Sequence, residues 1–152
     1  MKEICITCSL AFTLFTSLAS CSKNDTTDTI IDTTATNLTS MKLTIGPRTF
    51  VAAFSNTAAA AAFRKLLPMT LNMSELNGNE KLYELPAALP ANASNPGNIT
   101  SGDIMLYGEK TLVVFYKSFP TSYRYTRIAR IADVSGLVEA VGTGNVTISF
   151  AD

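Results

Sequence analysis

Tyr123, Arg124, Tyr125, Arg127 and Arg130 crowd into one stretch, "TSYRYTRIARI" (121–131), of a chain in which only 16% of residues are charged. A guanidinium offers charge-assisted donors to a carboxylate or phosphate, and a tyrosine offers a flat apolar contact with a polar tip. If this stretch is a β-strand, alternation puts Tyr123, Tyr125 and Arg127 on one face and Arg124, Thr126, Ile128 and Arg130 on the other. Both faces are then mixed, and two readings stay open. In the structural one, Ile128 and Ile131 enter the core, the tyrosines pack on sheet edges, and the arginines pair with surface carboxylates such as Glu109 or Glu139. In the functional one, Tyr123, Tyr125 and Arg124 or Arg127 line a groove for an extended peptide or a small anionic ligand.

Other chemistries lack their materials. The 152 residues carry twelve basic and twelve acidic side chains, so there is no basic excess to neutralise phosphates, and no nucleic-acid partner is expected. The chain contains no His, Trp or Gln. Without histidine, and with its thiols removed or consumed as argued next, a transition-metal site or a Ser-His or Cys-His pair cannot be assembled. No metal, cofactor or catalytic residue is expected. Asp103, Glu75, Glu80 and Glu84 read as ordinary turn or strand positions rather than an acid–base pair. Gly142-Thr143-Gly144 is short and precedes a strand, unlike a phosphate-binding loop.

The first residues form an address. "MKEICITCSLAFTLFTSLASC" has a polar start with Lys2, an apolar and hydroxylated run from Ile4 to Leu18, and small residues after it. The run is too short for a confident membrane span, which takes about 20 apolar residues, and it reads as a signal peptide over residues 1–20. Leu18-Ala19-Ser20-Cys21 resembles the bacterial lipobox, in which the cysteine thiol takes a diacylglycerol and becomes the new N-terminus. Cleavage there removes Cys5 and Cys8 and leaves Cys21 to the lipid, so no disulfide remains. The implied partner is a membrane, and the implied location is the bacterial envelope, on the outer membrane or cell surface. Residues 21–40, rich in Thr, Asp and Asn, have little to bury and read as a flexible tether. Asp25-Thr26-Thr27, Asp28-Thr29-Ile30 and Asp32-Thr33-Thr34 resemble bacterial O-glycosylation sites, though a plain solvated spacer explains them equally.

From residue 41 to 152 the pattern is that of one domain. "MKLTI" and "RTFVAAF" flank Gly46-Pro47 as a hairpin. "SNTAAAAAFRKLLP" predicts a helix of about three turns, capped by Ser55 or Asn56 and stopped by Pro68. "MTLNMSEL" and "EKLYEL" form a second hairpin around Asn77-Gly78-Asn79. Pro86 to Gly102 is a long loop, of the kind that is functional or disordered. "DIMLYG" and "TLVVFYKSF" give two more strands, and the Tyr/Arg stretch follows. "GLVEAV", capped by Asp133 or Ser135 and ended by Gly142, is a short helix, and "VTISF" is the last strand. About eight strands with two isolated helices predict a mainly β fold: a closed antiparallel barrel capped by two short α-helices.

This order of elements, with "IARIADVSGLVEAVG" and "NVTISF" at the end, resembles cyclophilin. "SGDIMLYGEKTLVVFYKSFP" resembles more closely a bacterial cyclophilin-like family of small proteins, and the likeness spans Met41 to Phe150. Cyclophilins rotate peptidyl-prolyl bonds, against an uncatalysed barrier of ~20 kcal/mol, by placing an arginine of the third strand on the proline nitrogen beside an apolar pocket. The matching region here, Met69 to Pro90, holds no arginine, and Lys81 is its only cation. The family's pocket glutamine, tryptophan and histidine are missing as well. The resemblance implies the barrel without the isomerase. Phe115 lies on the strand that supplies a pocket phenylalanine, and the segment Lys117 to Tyr125 offers Phe119, Tyr123 and Tyr125 where the tryptophan and histidine would arise. The expected function is a tethered binding module with a degenerate cleft. The alternatives are a residual prolyl isomerase, a redox-associated partner of a flavodoxin-like protein, or a structural envelope protein with no small ligand.

Overall fold

The computed structural model describes residues 40–152. The expected signal peptide, Cys21 and the tether up to residue 39 lie outside the described residues. Ser40, assigned above to the tether, is instead the first residue of β1.

Strand β1 (Ser40–Ile45) alternates strictly, with Met41, Leu43 and Ile45 buried and their neighbours turned out. It turns through Gly46, whose φ of +56° suits a residue without a Cβ, into β2 (Arg48–Phe54). Helix α1 (Ala58–Arg64) follows, and its cap is Thr57, whose hydroxyl accepts from the Ala60 amide at 3.0 Å, rather than Ser55 or Asn56. The helix is shorter than expected. Leu66 and Leu67 bond back to the carbonyls of Phe63 and Arg64 in tight three-residue turns, and Pro68 has no amide to continue the ladder. The hairpin of β3 (Met69–Leu76) and β4 (Glu80–Glu84) turns at Asn77-Gly78-Asn79, with Asn77 and Gly78 both at positive φ.

Strands β6 (Asp103–Tyr107), β7 (Thr111–Phe115) and β9 (Tyr125–Ile131) come next, then α2 (Leu137–Val141) and β10 (Val146–Ala151). Helix α2 starts at Gly136 without a side-chain cap, because the Asp133 carboxylate accepts from the Ser135 amide in a turn of its own. Eight strands close in the order β1-β10-β3-β4-β7-β6-β9-β2, and every neighbouring pair is antiparallel. The expected closed barrel with two short helices is what forms. Closure leaves no barrel strand with a free edge. Its interior holds the main core, including Leu43, Phe50, Phe63, Met73, Leu106, Ile128 and Phe150, and Phe63 of α1 meets Phe150 edge-on at 5.8 Å.

The long loop is ordered by pairing. Within it, β5 (Asn98–Ile99) joins β8 (Phe119–Pro120) as a separate two-stranded sheet, and Ser94 exchanges backbone bonds with Tyr125 at 2.9 and 3.0 Å. The Asn92 amide adds a bond to the Thr126 hydroxyl at 2.9 Å. These ties lay residues 92–99 over the outside of the barrel.

Candidate functional site

Alternation along β7 sends Leu112 and Val114 inward and leaves Val113 and Phe115 on the outer face. On β6, Ile104 and Leu106 face in while Met105 faces out. The outward set would be solvated on an ordinary barrel. Here Ile99 of β5 and Phe119 of β8 cover it, and Met105, Val113, Phe115 and Tyr125 form a second apolar cluster with Leu82 packed against it. Five rings run in a chain from its centre to the surface. Phe115 lies 5.7 Å from Phe119 and 5.5 Å from Tyr125, and Tyr107 lies 5.7 Å from Tyr125 and 6.0 Å from Tyr123. Such pairs contribute roughly 0.5–1.5 kcal/mol each beyond burial.

At the exposed end of that chain is a groove of about 390 Å³ lined by Leu76, Asn77, Glu80, Leu82, Tyr107, Thr111, Val113, Tyr123 and Tyr125. Strand register assembles it: Leu82 pairs with Val113, and Tyr107 pairs with both Thr111 and Tyr125. Tyr123 is 61% exposed and Tyr107 46%. No Lys or Arg lines the groove. Its one ionisable acid, Glu80, is half-buried, and burial followed by the charge of Glu75 pushes its carboxyl above the usual value. Burial, then the charge of Glu80, likewise pushes the Tyr125 hydroxyl up.

The arginines of the stretch have other duties. Strand β9 begins only at Tyr125, so Tyr123 and Arg124 sit in a loop where the Arg124 Nη2 donates to the Ala93 carbonyl at 2.6 Å. A bulge opposite Ile104 and Met105 then inserts Ile128 as an extra residue, since Ile104 pairs with Ala129 and Met105 with Arg127. Ile128 and Ala129 both enter the core, and the strict alternation expected for 121–131 is lost. Arg127 and Arg130 therefore meet the same carboxylate. Asp103 is fully buried, Arg130 donates to it through Nε and Nη2 at 2.7 Å, Arg127 Nη1 lies at 3.5 Å, and the Thr100 amide holds its second oxygen at 2.9 Å. The expected pairings with Glu109 or Glu139 do not form, because the bulge aims these side chains at the start of β6.

Of the six residues singled out from sequence, Phe115, Phe119 and Tyr125 gather in the covered cluster, Tyr123 and Tyr125 line the groove, and Arg124 and Arg127 stand apart from it. Sequence reasoning missed Tyr107 and Glu80. Tyr107 had a visible signal, since it shares the parity of Met105 on β6; Glu80 had none, because its burial comes from segments distant in the chain.

Lys81 was also unexpected, for it points into the barrel and is fully buried. Its ammonium donates to the Glu75 carboxylate and to the carbonyls of Gly142, at 3.0 Å, and Gly144, so its three protons are all used. The Tyr116 hydroxyl donates to both Glu75 oxygens at 2.9 and 3.0 Å. This clasp ties the loop after α2 to the β3–β4 hairpin.

A larger hollow, about 610 Å³, is elsewhere, between the end of β2 and α1, lined among others by Phe54, Ala60, Arg64 and Asp152. Arg64 there lies over the Phe54 ring and donates through Nε to Asp152 at 3.1 Å. We take the outer-face groove as the site, because it joins a second apolar cluster, three tyrosines and a perturbed acid. Among the described residues no group of His, Cys, Asp and Glu side chains could hold a metal, and no helix is long and apolar enough to cross a membrane.

A closed eight-stranded antiparallel barrel with two short helices and a covered outer face defines a class of small β-barrel domain. The Cyclophilin-like family matches residues 43–151, and the chain belongs to that family. No curated protein matches it.

Proposed function

We propose that the chain is a lipid-anchored envelope protein whose cyclophilin-like domain binds an extended peptide in the outer-face groove, without prolyl-isomerase chemistry. The observation that carries this reading is the groove's lining: exposed Tyr107 and Tyr123 beside apolar Leu76, Leu82 and Val113, with Asn77 and Thr111 as hydrogen-bonding groups. Of the two ligand types considered from sequence, an extended peptide suits this lining and a small anion does not. The groove contains an acid and no base, and Arg124 and Arg127 are engaged outside it. The missing isomerase chemistry rests on the same lining, which offers no guanidinium to a proline nitrogen.

One observation favours a residual isomerase instead: Arg64 stands beside the apolar hollow formed by Phe54, Ala60 and Ala61. A protease-coupled isomerisation assay on proline tetrapeptides separates the two readings. The expected result is turnover at the uncatalysed rate. Catalysis that is abolished by Arg64→Ala would establish the isomerase and move the site to that hollow. For binding, Tyr123→Ala is expected to weaken a groove-bound peptide by about tenfold, the loss of one aromatic anchor, with a stability loss no larger than the roughly 0.5–1.5 kcal/mol of its ring pair with Tyr107.

A further inference from the structure

Three carboxylates among the described residues are buried or partly buried: Glu75, Glu80 and Asp103. Glu75 is matched by Lys81 and Tyr116, and Asp103 by Arg130, Arg127 and the Thr100 amide. Glu80 has no cation within ion-pair distance and accepts no hydrogen bond at its side chain. A carboxylate drawn out of water without a partner is destabilising, and this one lies in the groove.

The tyrosines around it are not a flat platform. Tyr107 and Tyr123 cross at 89°, and Tyr107 and Tyr125 at 52°, with centroids 6.0 and 5.7 Å apart. They arrive from β6, from the loop before β9 and from β9 itself. A sugar ring stacks best on one open face, whereas crossed rings enclose a corner, and the ring faces carry negative potential that attracts cations. Leu82 and Val113, paired across β4 and β7, extend the same groove with apolar surface.

Building on the peptide-binding reading, we infer that the groove recognises a cationic side chain: the ammonium or guanidinium enters the corner of Tyr107, Tyr123 and Tyr125 against Glu80, and its methylene stem lies on Leu82 and Val113. The ligand supplies the partner that Glu80 lacks. The raised Glu80 carboxyl is consistent with this, since no positive group of the protein holds it down. Glu75 on β3, Tyr116 after β7, and Tyr107, Tyr123 and Tyr125 are titratable groups around it and none is a cation at neutral pH, while Lys81, its neighbour on β4, points into the barrel and is bonded to Glu75.

The test uses the purified protein with four probes: blocked tripeptides carrying lysine, norleucine or glutamate at the centre, and free butylammonium. Norleucine keeps the stem and removes the charge. The chain has no Trp and three of its five tyrosines line the groove, so tyrosine fluorescence responds to its occupation, and methyl NMR of Leu82 and Val113 places the ligand. The lysine peptide is expected to bind about tenfold more tightly than the norleucine peptide, and the glutamate peptide least. Glu80→Gln is expected to erase the lysine advantage while raising the melting temperature at pH 7, which separates lost recognition from lost folding. Equal binding of the lysine and norleucine peptides, unaffected by Glu80→Gln, would overturn the inference and leave peptide binding standing. Glu80-dependent binding of butylammonium with no binding of any of the three peptides would keep the cation and overturn the peptide. If no probe binds, both readings fall.

Discussion

Lys81 and Glu80 are neighbours in sequence and opposites in environment, because alternation sends one into the barrel and the other to its outer face. Lys81 is fully buried and fully bonded, so removing it strands the Glu75 carboxylate and the Gly142 and Gly144 carbonyls together. Lys81→Met is expected to cost about 3–5 kcal/mol, read from urea unfolding. The same clasp sets a pH window. Burial alone would raise the Glu75 carboxyl, but hydrogen bonds from Lys81, Tyr116 and the Gly78 amide outweigh it and hold the group below its ordinary 4.5. Its contribution is present above that value and is lost as pH falls through the lowered one. Burial and the bond to Glu75 push Tyr116 up to about 12 from 10.0, so its contribution is present below 10.0 and is lost as pH rises towards 12. The raised Glu80 acts oppositely, costing stability as it charges, and Glu80→Gln therefore stabilises at neutral pH. Melting temperatures across pH check both signs: decline at each extreme for the natural chain, and a gain at pH 7 for the Glu80 variant. None of this was visible from residue type. Lys81 read only as the sole cation of its region, and Glu75 and Glu80 as exposed positions.

The elements that place the site depend on a few backbone positions. Gly102, at φ +90°, lies in the turn just before β6, donates to the Phe115 carbonyl at 2.7 Å and accepts from the Ile131 amide at 2.9 Å, so it stitches the covered face to the end of β9. A Cβ there would stand 2.7 Å from Val134 Cγ1 and 3.2 Å from the Ile131 backbone oxygen. Gly102→Ala is expected to cost about 1–3 kcal/mol through strain and contact, a fall of about 4 °C in Tm per kcal/mol in a domain of this size. Strand and turn positions were legible: the β1–β2 and β3–β4 hairpins and the β6–β7 pair all lie where alternation and glycine put them. The bulge at Ile128 was not. "RIARI" reads as simple alternation, and only pairing with β6 shows that Ile128 is the extra residue that turns Arg127 and Arg130 to one carboxylate.

At the scale of the whole molecule, residues 40–152 contain no cysteine, and the main core and the outer cluster bury many of the barrel's large apolar side chains. On the lipid-anchor proposal, a fatty-acid alkyne fed to cells is expected to label the protein, and Cys21→Ser to abolish the label and release the protein to the soluble fraction; retained label would remove the anchor. The sequence by itself determined the eight-stranded barrel, its two short helices and its family likeness, because period-two alternation and turn glycines are local signals that survive without tertiary contacts. It also showed which functional groups the chain lacks. Only the tertiary structure decided that the 86–102 loop seals an outer face, that Tyr107 and Glu80 join Tyr123 and Tyr125, and that the arginines are spent on Asp103 and Ala93. Those contacts join segments far apart in the chain, and burial and charge pairing across such distances leave no periodic trace in the sequence.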